Sequence, residues 1–138
     1  MMARVRQALI VLALLTVAFG LITWWALEGR DVAILYTVGP DGSHRRTRVW
    51  VAEADGALWL EAATSDRPFY RDIQQRSAMV QVEHRGRRAR ATATLVPEPG
   101  GHARIRRLLA EKYGWADAWI GLIQDTSRSV AVRLSPPP

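Results

Sequence analysis

The stretch Arg45-Arg-Thr-Arg-Val-Trp-Val, residues 45–51, is the most informative segment for the fold. Alternate side chains of an extended strand share a face, so Arg46, Arg48 and Trp50 are predicted to point one way and the valines the other. Two fixed positive charges beside a flat ring suit a ligand that is both anionic and aromatic, such as a phosphorylated flavin-type cofactor. The alternative is a solvated strand face with a half-buried tryptophan.

Turn signals on both sides of this stretch predict an antiparallel meander. Gly39-Pro-Asp-Gly-Ser precedes it and Ala54-Asp-Gly follows it, and Asp-Gly readily takes the positive φ of a tight hairpin. Residues Val32–Val38 before the first turn and Ala57–Ala63 after the second are rich in apolar and β-branched side chains. Together with Arg45–Glu53 they predict three consecutive strands.

The rest of the chain predicts three helices and three more strands. Ser65 is the expected N-cap of the first helix, which runs to about Arg76. The two later helices are expected around Ile105–Lys112 and over Trp115–Gln124, and the strands over Ala78–His84, Arg87–Val96 and Ser129–Leu134. Six strands with inserted helices indicate an α+β domain over residues 30–138, built as a small antiparallel barrel.

The first 29 residues predict a membrane anchor. No charged residue occurs between Arg6 and Glu28, and the apolar run of residues 8–27 matches the roughly 20 residues that a membrane-spanning helix needs. A cleavable signal peptide is the alternative, but Trp24-Trp25-Ala26-Leu27 offers no small-residue cleavage site. Arginines before the span slightly favour a barrel outside the cytoplasm, although those after it weaken that asymmetry, and the side of the membrane stays open.

Composition and motifs exclude several classes of function. The net charge of +6 favours anionic partners, and the absence of cysteine excludes disulfides and thiolate metal sites. The histidines His44, His84 and His102 lack the spacing of a metal pair on one helix, so no metal is predicted. No paired carboxylates, nucleophile motif or phosphate-binding glycine loop is present, and no recognition helix for nucleic acid is apparent.

The order of these segments resembles the split β-barrel flavin and deazaflavin oxidoreductases, the pyridoxamine-phosphate-oxidase-like superfamily. The chain is most similar to the branch of deazaflavin (coenzyme F-420)-dependent nitroreductases and quinone reductases. The similarity covers about residues 32–134 and rests on several short motifs in the same order. These are Thr37-Val38-Gly39, Arg46-Thr47-Arg48-Val49-Trp50, Pro68-Phe69-Tyr70-Arg71-Asp72-Ile73 and the segment 126–134.

The resemblance implies roles for five residues in cofactor binding. Arg46 and Arg48 would line the phosphate end of the cofactor, and Arg71, near the start of the first helix, would assist them. Trp50 and Ser65 would flank the ring or its linker.

The resemblance also names a catalytic candidate. Tyr113 would orient the substrate or donate a proton to it. Where this family has asparagine the chain has Asp72, whose negative charge is expected to oppose an anionic cofactor.

The implied function is that of a membrane-anchored oxidoreductase. Reduced deazaflavin, or alternatively FMN, would transfer a hydride to a quinone-like or nitroaromatic acceptor, and the acceptor would be lipophilic. The alternative is a non-catalytic split-barrel module that binds a flavin, haem or an anionic lipid. The other partners expected are the lipid bilayer, through residues 8–27, and a second copy of the chain, with no nucleic acid.

Overall fold

The computed structural model describes residues 2–28, 31–97 and 99–136. Its contacts divide the chain into two compact units, Met1–Arg30 and Asp31–Pro138. The first unit is one helix, α1, over Met2–Glu28, which is long and apolar enough to cross a membrane. A signal sequence near the N-terminus would pass the same test of length and composition. Helix α1 is therefore consistent with a membrane anchor and with a signal sequence.

The second unit is an antiparallel barrel of six strands, as predicted, and it is closed with the strands in the order β1-β2-β3-β6-β5-β4. Three helices accompany the strands among its described residues. The bounds are β1 Val32–Val38, β2 His44–Ala54, β3 Ala57–Ala62, α2 Pro68–Gln75, β4 Met79–His84, β5 Arg87–Val96, α3 Gly100–Tyr113, α4 Trp115–Ile123 and β6 Val130–Ser135. The predicted strands are therefore confirmed, with ends that differ by no more than a residue or two.

Alternation along the strands separates the inside of the barrel from the outside. On β2, Val49 and Val51 are buried in the core, whereas Arg46 and Arg48 are exposed, as the pattern predicts. Val51 lies opposite Leu60 of β3, which is fully buried. Because register partners share a face of the sheet, the strand order and the alternation together define one continuous apolar interior.

Helix α2 covers the end of the barrel where β1 ends and β2 begins, which we call the closed end. Its side chains Phe69, Tyr70 and Ile73 join the buried core of the barrel. Asp72 on the same helix is also buried, and it bonds to Thr37 at the end of β1. The opposite end, where β1 begins and β2 ends, is not covered by α2, and we call it the open end.

The start of α2 differs from the prediction. The helix begins at Pro68 with Arg67 as its N-cap, so Ser65 lies in the turn before the helix and does not cap it. Proline disfavours the helical conformation of the residue before it, and Arg67 accordingly has an extended ψ of 134°. Proline is itself well suited to the first helical position, and this preference outweighs the capping propensity of an upstream serine.

Candidate functional site

The outer surface of β5, β4, β1 and β2 is bordered by arginines, and we call it the basic face. Side chains that lie opposite one another in register form two rows across these four strands. One row is Arg46, Tyr36, Gln81 and Arg90, and the other is Arg48, Ile34, Glu83 and Arg88. Each row therefore has one arginine at each end. At the usual strand spacing the two arginines of a row are about 14 Å apart across the sheet, and a tyrosine or an isoleucine lies between them.

The middle of the basic face is held by polar contacts around Tyr36. Its hydroxyl donates a hydrogen bond to Glu83 Oε2 at 3.0 Å, and the guanidinium of Arg88 lies 3.7 Å from the centre of its ring. The Nε atom of Arg88 is 3.9 Å from Glu83 Oε2. The stacked guanidinium and the bonded hydroxyl fix the orientation of the aromatic ring, because one contacts its face and the other holds its hydroxyl end.

Two arginines of the basic face lack an anionic partner among the residues that the structure describes. The guanidinium groups of Arg46 and Arg90 are exposed, and no carboxylate in residues 2–28, 31–97 or 99–136 forms a salt bridge with either of them. Arg90 borders a pocket of about 530 Å³ whose wall also includes Tyr36, His44 and Gln81. Planar guanidinium groups with free donors are well suited to bind phosphate or carboxylate oxygens.

The other predicted cofactor residues of β2 lie on the same face. Arg48 is exposed at the end of the second row. Trp50 is half-buried one step further along the strand, and its ring stacks on that of Tyr113 with centres 4.4 Å apart and planes 18° apart. The structure therefore brings Arg46, Arg48 and Trp50 together, and it adds Arg88 and Arg90, for which no role in binding is predicted from the sequence.

Ser65 and Arg71 lie away from these strands. Ser65 is exposed in the turn before α2, and Arg71 is exposed on α2, where its Nη2 atom donates to Asp66 Oδ1 at 3.1 Å. Within the described residues, neither forms a hydrogen bond or an ion pair with the basic face. Their roles in binding stay predictions.

Tyr113 is buried at the end of α3, with 3% of its surface exposed. Its hydroxyl oxygen lies 2.6 Å from the carbonyl oxygen of Asp31 and 2.8 Å from that of Val51, and it accepts a hydrogen bond from the Val51 amide at 3.2 Å. Burial raises the pKa of Tyr113 to about 12. The hydroxyl is thus engaged by the backbone at the edge of β2, and a role in proton donation stays a prediction.

The carboxylate of Asp72 is engaged inside the closed end. Thr37 Oγ1 donates to its Oδ2 atom at 2.6 Å, and Arg45 Nε donates to the same atom at 2.9 Å. Only 2% of the Asp72 side chain is exposed. Its charge is compensated within the barrel by Arg45, so it is not presented to a ligand on the outer surface as the sequence led us to expect.

A network of charged groups borders the open end and was not predicted. Asp31 is bonded by Lys112 Nζ at 2.8 Å, by Arg85 Nη2 at 2.8 Å and by His84 Nε2 at 2.7 Å. Arg85 also pairs with Glu53 at 2.9 Å. Burial alone would raise the pKa of Asp31, but the hydrogen bonds from Lys112, His84 and Arg85 outweigh it and lower the pKa to about 2.

The same network contains a set of possible metal ligands. Asp31, Glu53 and His84 each offer one ligand atom, and these atoms lie within 4.8 Å of one another. Both carboxylates already accept hydrogen bonds from cationic side chains, which a metal ion would have to displace. The geometry therefore supports a salt-bridge network better than a metal site.

Three comparisons relate this chain to known proteins. No protein-family model and no curated protein matches it. Among solved structures, a conserved hypothetical protein from Mycobacterium tuberculosis has a TM-score of 0.62 at 21% identity, over 86% of this chain and 80% of its own. A structure described as an F420 reductase has a TM-score of 0.57 at 21% identity, over 83% of this chain and 93% of its own.

A third solved structure has a different described role. It is the haem storage protein HutZ of Vibrio cholerae, with a TM-score of 0.59 at 15% identity, over 82% of this chain and 86% of its own. Identities this low establish the fold alone. The chain thus has the split-barrel fold that the sequence motifs indicate, a fold shared by F420 reductases and by other binding proteins.

Proposed function

We propose that this chain is a membrane-anchored reductase that binds a deazaflavin or flavin on the basic face and passes a hydride from it to a lipophilic, quinone-like acceptor. The observation that carries the proposal is the pair of register rows. Each row places an arginine on either side of a centre, which is Tyr36 with Gln81 in one row and Ile34 with Glu83 in the other. The barrel has a fold that is shared with an F420 reductase.

The residues of the basic face suit both parts of such a cofactor. Arg46 and Arg90 offer guanidinium donors without a carboxylate partner among the described residues, and hydrogen bonds to charged groups contribute about 1.5–3 kcal/mol each. Ile34 and the restrained ring of Tyr36 supply a flat, largely apolar surface between the charges. Trp50, stacked on Tyr113, extends this surface along β2.

The chemistry of such a site requires little from the protein itself. When bound, the cofactor supplies the hydride, and the protein orients it and excludes competing reactions. This agrees with the absence of a nucleophile or paired-carboxylate motif in the sequence. The anchoring role of α1 is part of the proposal, because a helix held in the bilayer would keep the barrel near a lipophilic acceptor. A homodimer is part of it too, on the family resemblance alone.

The test is a binding titration of the full chain in lipid nanodiscs with oxidised coenzyme F-420 and, separately, with FMN. Arg46→Gln and Arg90→Gln are each expected to weaken binding about tenfold, because each removes one charge-assisted contact. Arg107→Gln is the matched control, since Arg107 is exposed on α3 outside the basic face, and it should leave binding unchanged.

The outcomes separate the proposal from its alternatives. Reduction of menadione by the chain with reduced F-420 or FMN would support the reductase. Binding without turnover would favour a non-catalytic module instead. If neither cofactor binds at micromolar concentrations, or if both substitutions leave the affinity unchanged, the basic face is not the cofactor site.

A further inference from the structure

The open end of the barrel contains a second cavity, of about 770 Å³, on the opposite side of the core from α2. Inward-facing residues of four strands form most of its wall. They are Leu58 of β3, Val82 of β4, Ala89 and Ala91 of β5, and Leu134 of β6, with Ala54 and Ala57 at the nearby hairpin. The wall is therefore mainly apolar, and its size falls within the range of small-molecule sites.

The inward positions of β5 at this end, Ala89 and Ala91, are alanines, which leaves room for the cavity. Ala89 lies opposite Val82 on the neighbouring strand, and Ala54 pairs with Ala57 at the hairpin, so these alanines each contribute only a methyl group to the wall. A barrel this narrow is usually filled by its own side chains. The closed end follows that rule with the aromatic and aliphatic side chains of α2, whereas the alanines leave the open end hollow.

One polar group in the cavity wall has unused hydrogen-bonding capacity. His84 lines the cavity, and its Nε2 atom is 2.7 Å from Asp31 Oδ1. Asp31 is ionised across the physiological range and can only accept, so Nε2 carries the hydrogen. The structure gives Nδ1 of His84 no partner among the described residues, and in the neutral ring this atom is an acceptor.

The charged side chains beside the ring are already paired with one another. Two carboxylates, Asp31 and Glu53, are matched by two cations, Arg85 and Lys112. These four side chains carry no net charge, and Arg90, the remaining cation of the wall, belongs to the outer face of β5. A ligand that fits this mainly apolar wall therefore brings an apolar body and one hydrogen-bond donor for Nδ1 of His84.

We propose that the open end of the barrel binds a neutral lipophile with one hydroxyl group, of the alkylphenol or long-chain alcohol class. Its apolar body packs against the alanine-rich wall, and its hydroxyl donates to Nδ1 of His84. This site lies at the open mouth of the barrel and shares only Arg90 with the basic face, since Arg90 borders both cavities. The proposal does not depend on the cofactor.

Photolabelling of the full chain in lipid nanodiscs tests it. The probe is an alkylphenol with a diazirine in its alkyl chain, used below saturation, and the labelled residues are located by peptide mass spectrometry. Label is expected within residues 54–58, 89–91 or 134–136. Ala89→Phe should abolish it, because Ala89 is exposed to the cavity and can be enlarged without overfilling the core. Thr94→Phe is the matched control, with the same ring on the outer face of the same strand.

The hydroxyl contact has its own test. A matched alkylbenzene probe should label the cavity about fivefold less than the phenol, the usual effect of one hydrogen bond. His84→Phe should remove that difference between the probes while keeping a ring of similar size. Label confined to residues 2–28, or unchanged label in Ala89→Phe, would overturn the site. Stronger labelling by the matched alkylbenzoate would overturn the assignment of a neutral ligand.

Discussion

The closed end of the barrel is filled by three large side chains of α2, whereas the open end is lined by alanines and bordered by charged groups. Each end contains a carboxylate that is bonded by cations. Asp72 at the closed end is 2% exposed, and Asp31 at the open end is 24% exposed. The difference indicates that one carboxylate completes a packed core and the other holds together the charged side chains that border the open end.

The number of partners differs between the ends as well. Asp72 has two donors, Arg45 and Thr37, in a setting from which water is excluded. Asp31 has three side-chain donors and retains access to solvent. A buried charge that loses its partner carries its full desolvation penalty, whereas a partly exposed one is rehydrated. Substitutions at the closed end should therefore have the larger effect on stability.

The largest effect is expected for Asp72→Ala. This change leaves the Thr37 hydroxyl and the Arg45 guanidinium without their acceptor next to the packed core. Removal of one partner of a buried pair costs about 3–5 kcal/mol, and because Arg45 is 38% exposed we expect about 3 kcal/mol of unfolding free energy to be lost. Denaturant unfolding followed by tryptophan fluorescence would measure it.

Asp72→Asn is the control for this prediction. The amide keeps the shape and one acceptor oxygen, so Thr37 can retain its bond while the ion pair with Arg45 is lost. A loss of about 1 kcal/mol is expected. If both variants lose the same unfolding free energy, the ion pair with Arg45, and not the hydrogen bond from Thr37, provides most of the stability that Asp72 contributes. No loss in either would show that the comparison between the two ends is wrong.

A smaller, pH-dependent effect is expected at the open end. The pKa of Asp31 is lowered to about 2 in the folded chain, from about 3.8, so the unfolded chain binds its proton more readily. The stability that Asp31 contributes is fully present above about pH 5 and is lost as the pH falls towards 2. Solvent screening of this partly exposed group reduces the contribution to about 1–2 kcal/mol.

Unfolding curves at pH 7 and pH 3 would test this, with Asp31→Asn as the comparison. The substitution should lower stability at pH 7 and have less effect at pH 3, because the wild-type carboxylate has by then lost part of its contribution. Asp66→Asn is the control, since Asp66 is exposed and its ion pair with Arg71 lies on the surface. An identical pH dependence in wild type and Asp31→Asn would exclude the network as its source.

Strand periodicity and turn chemistry were sufficient to predict the barrel. The alternation of residues 45–51 correctly separated Arg46 and Arg48 from Val49 and Val51, because a strand with one buried face cannot shift by one residue without exposing its core. The predicted N-cap was wrong by two residues, because the local preference of Pro68 for the first helical position competes with capping by Ser65.

The site was harder to predict, because it joins residues that are distant in the chain. Arg46 and Arg90 lie in one row only because β1 and β4 are neighbours in the closed barrel, and no local pattern contains that pairing. Asp31 and His84 meet at the open end for the same reason. The signal that could have been used is the row of alanines on β5, whose small size marks either a close approach or a cavity.

The smallest effect is expected for Tyr113→Phe, at the edge of the open end. The phenylalanine ring can keep the stacking on Trp50, but the hydroxyl contacts to the backbone of Asp31 and Val51 are lost. A loss of about 1 kcal/mol of unfolding free energy is expected, the net value of one hydrogen bond.

The same variant tests the predicted role of Tyr113 in catalysis. If the hydroxyl only supports the backbone, the rate of reductase turnover should fall by no more than the loss of folded protein explains. If Tyr113 donates a proton to the acceptor, turnover should fall by far more than the loss of stability explains. With the pKa of Tyr113 raised to about 12, no loss of that proton is expected below about pH 11, so the comparison can be made at any pH at which the barrel is folded.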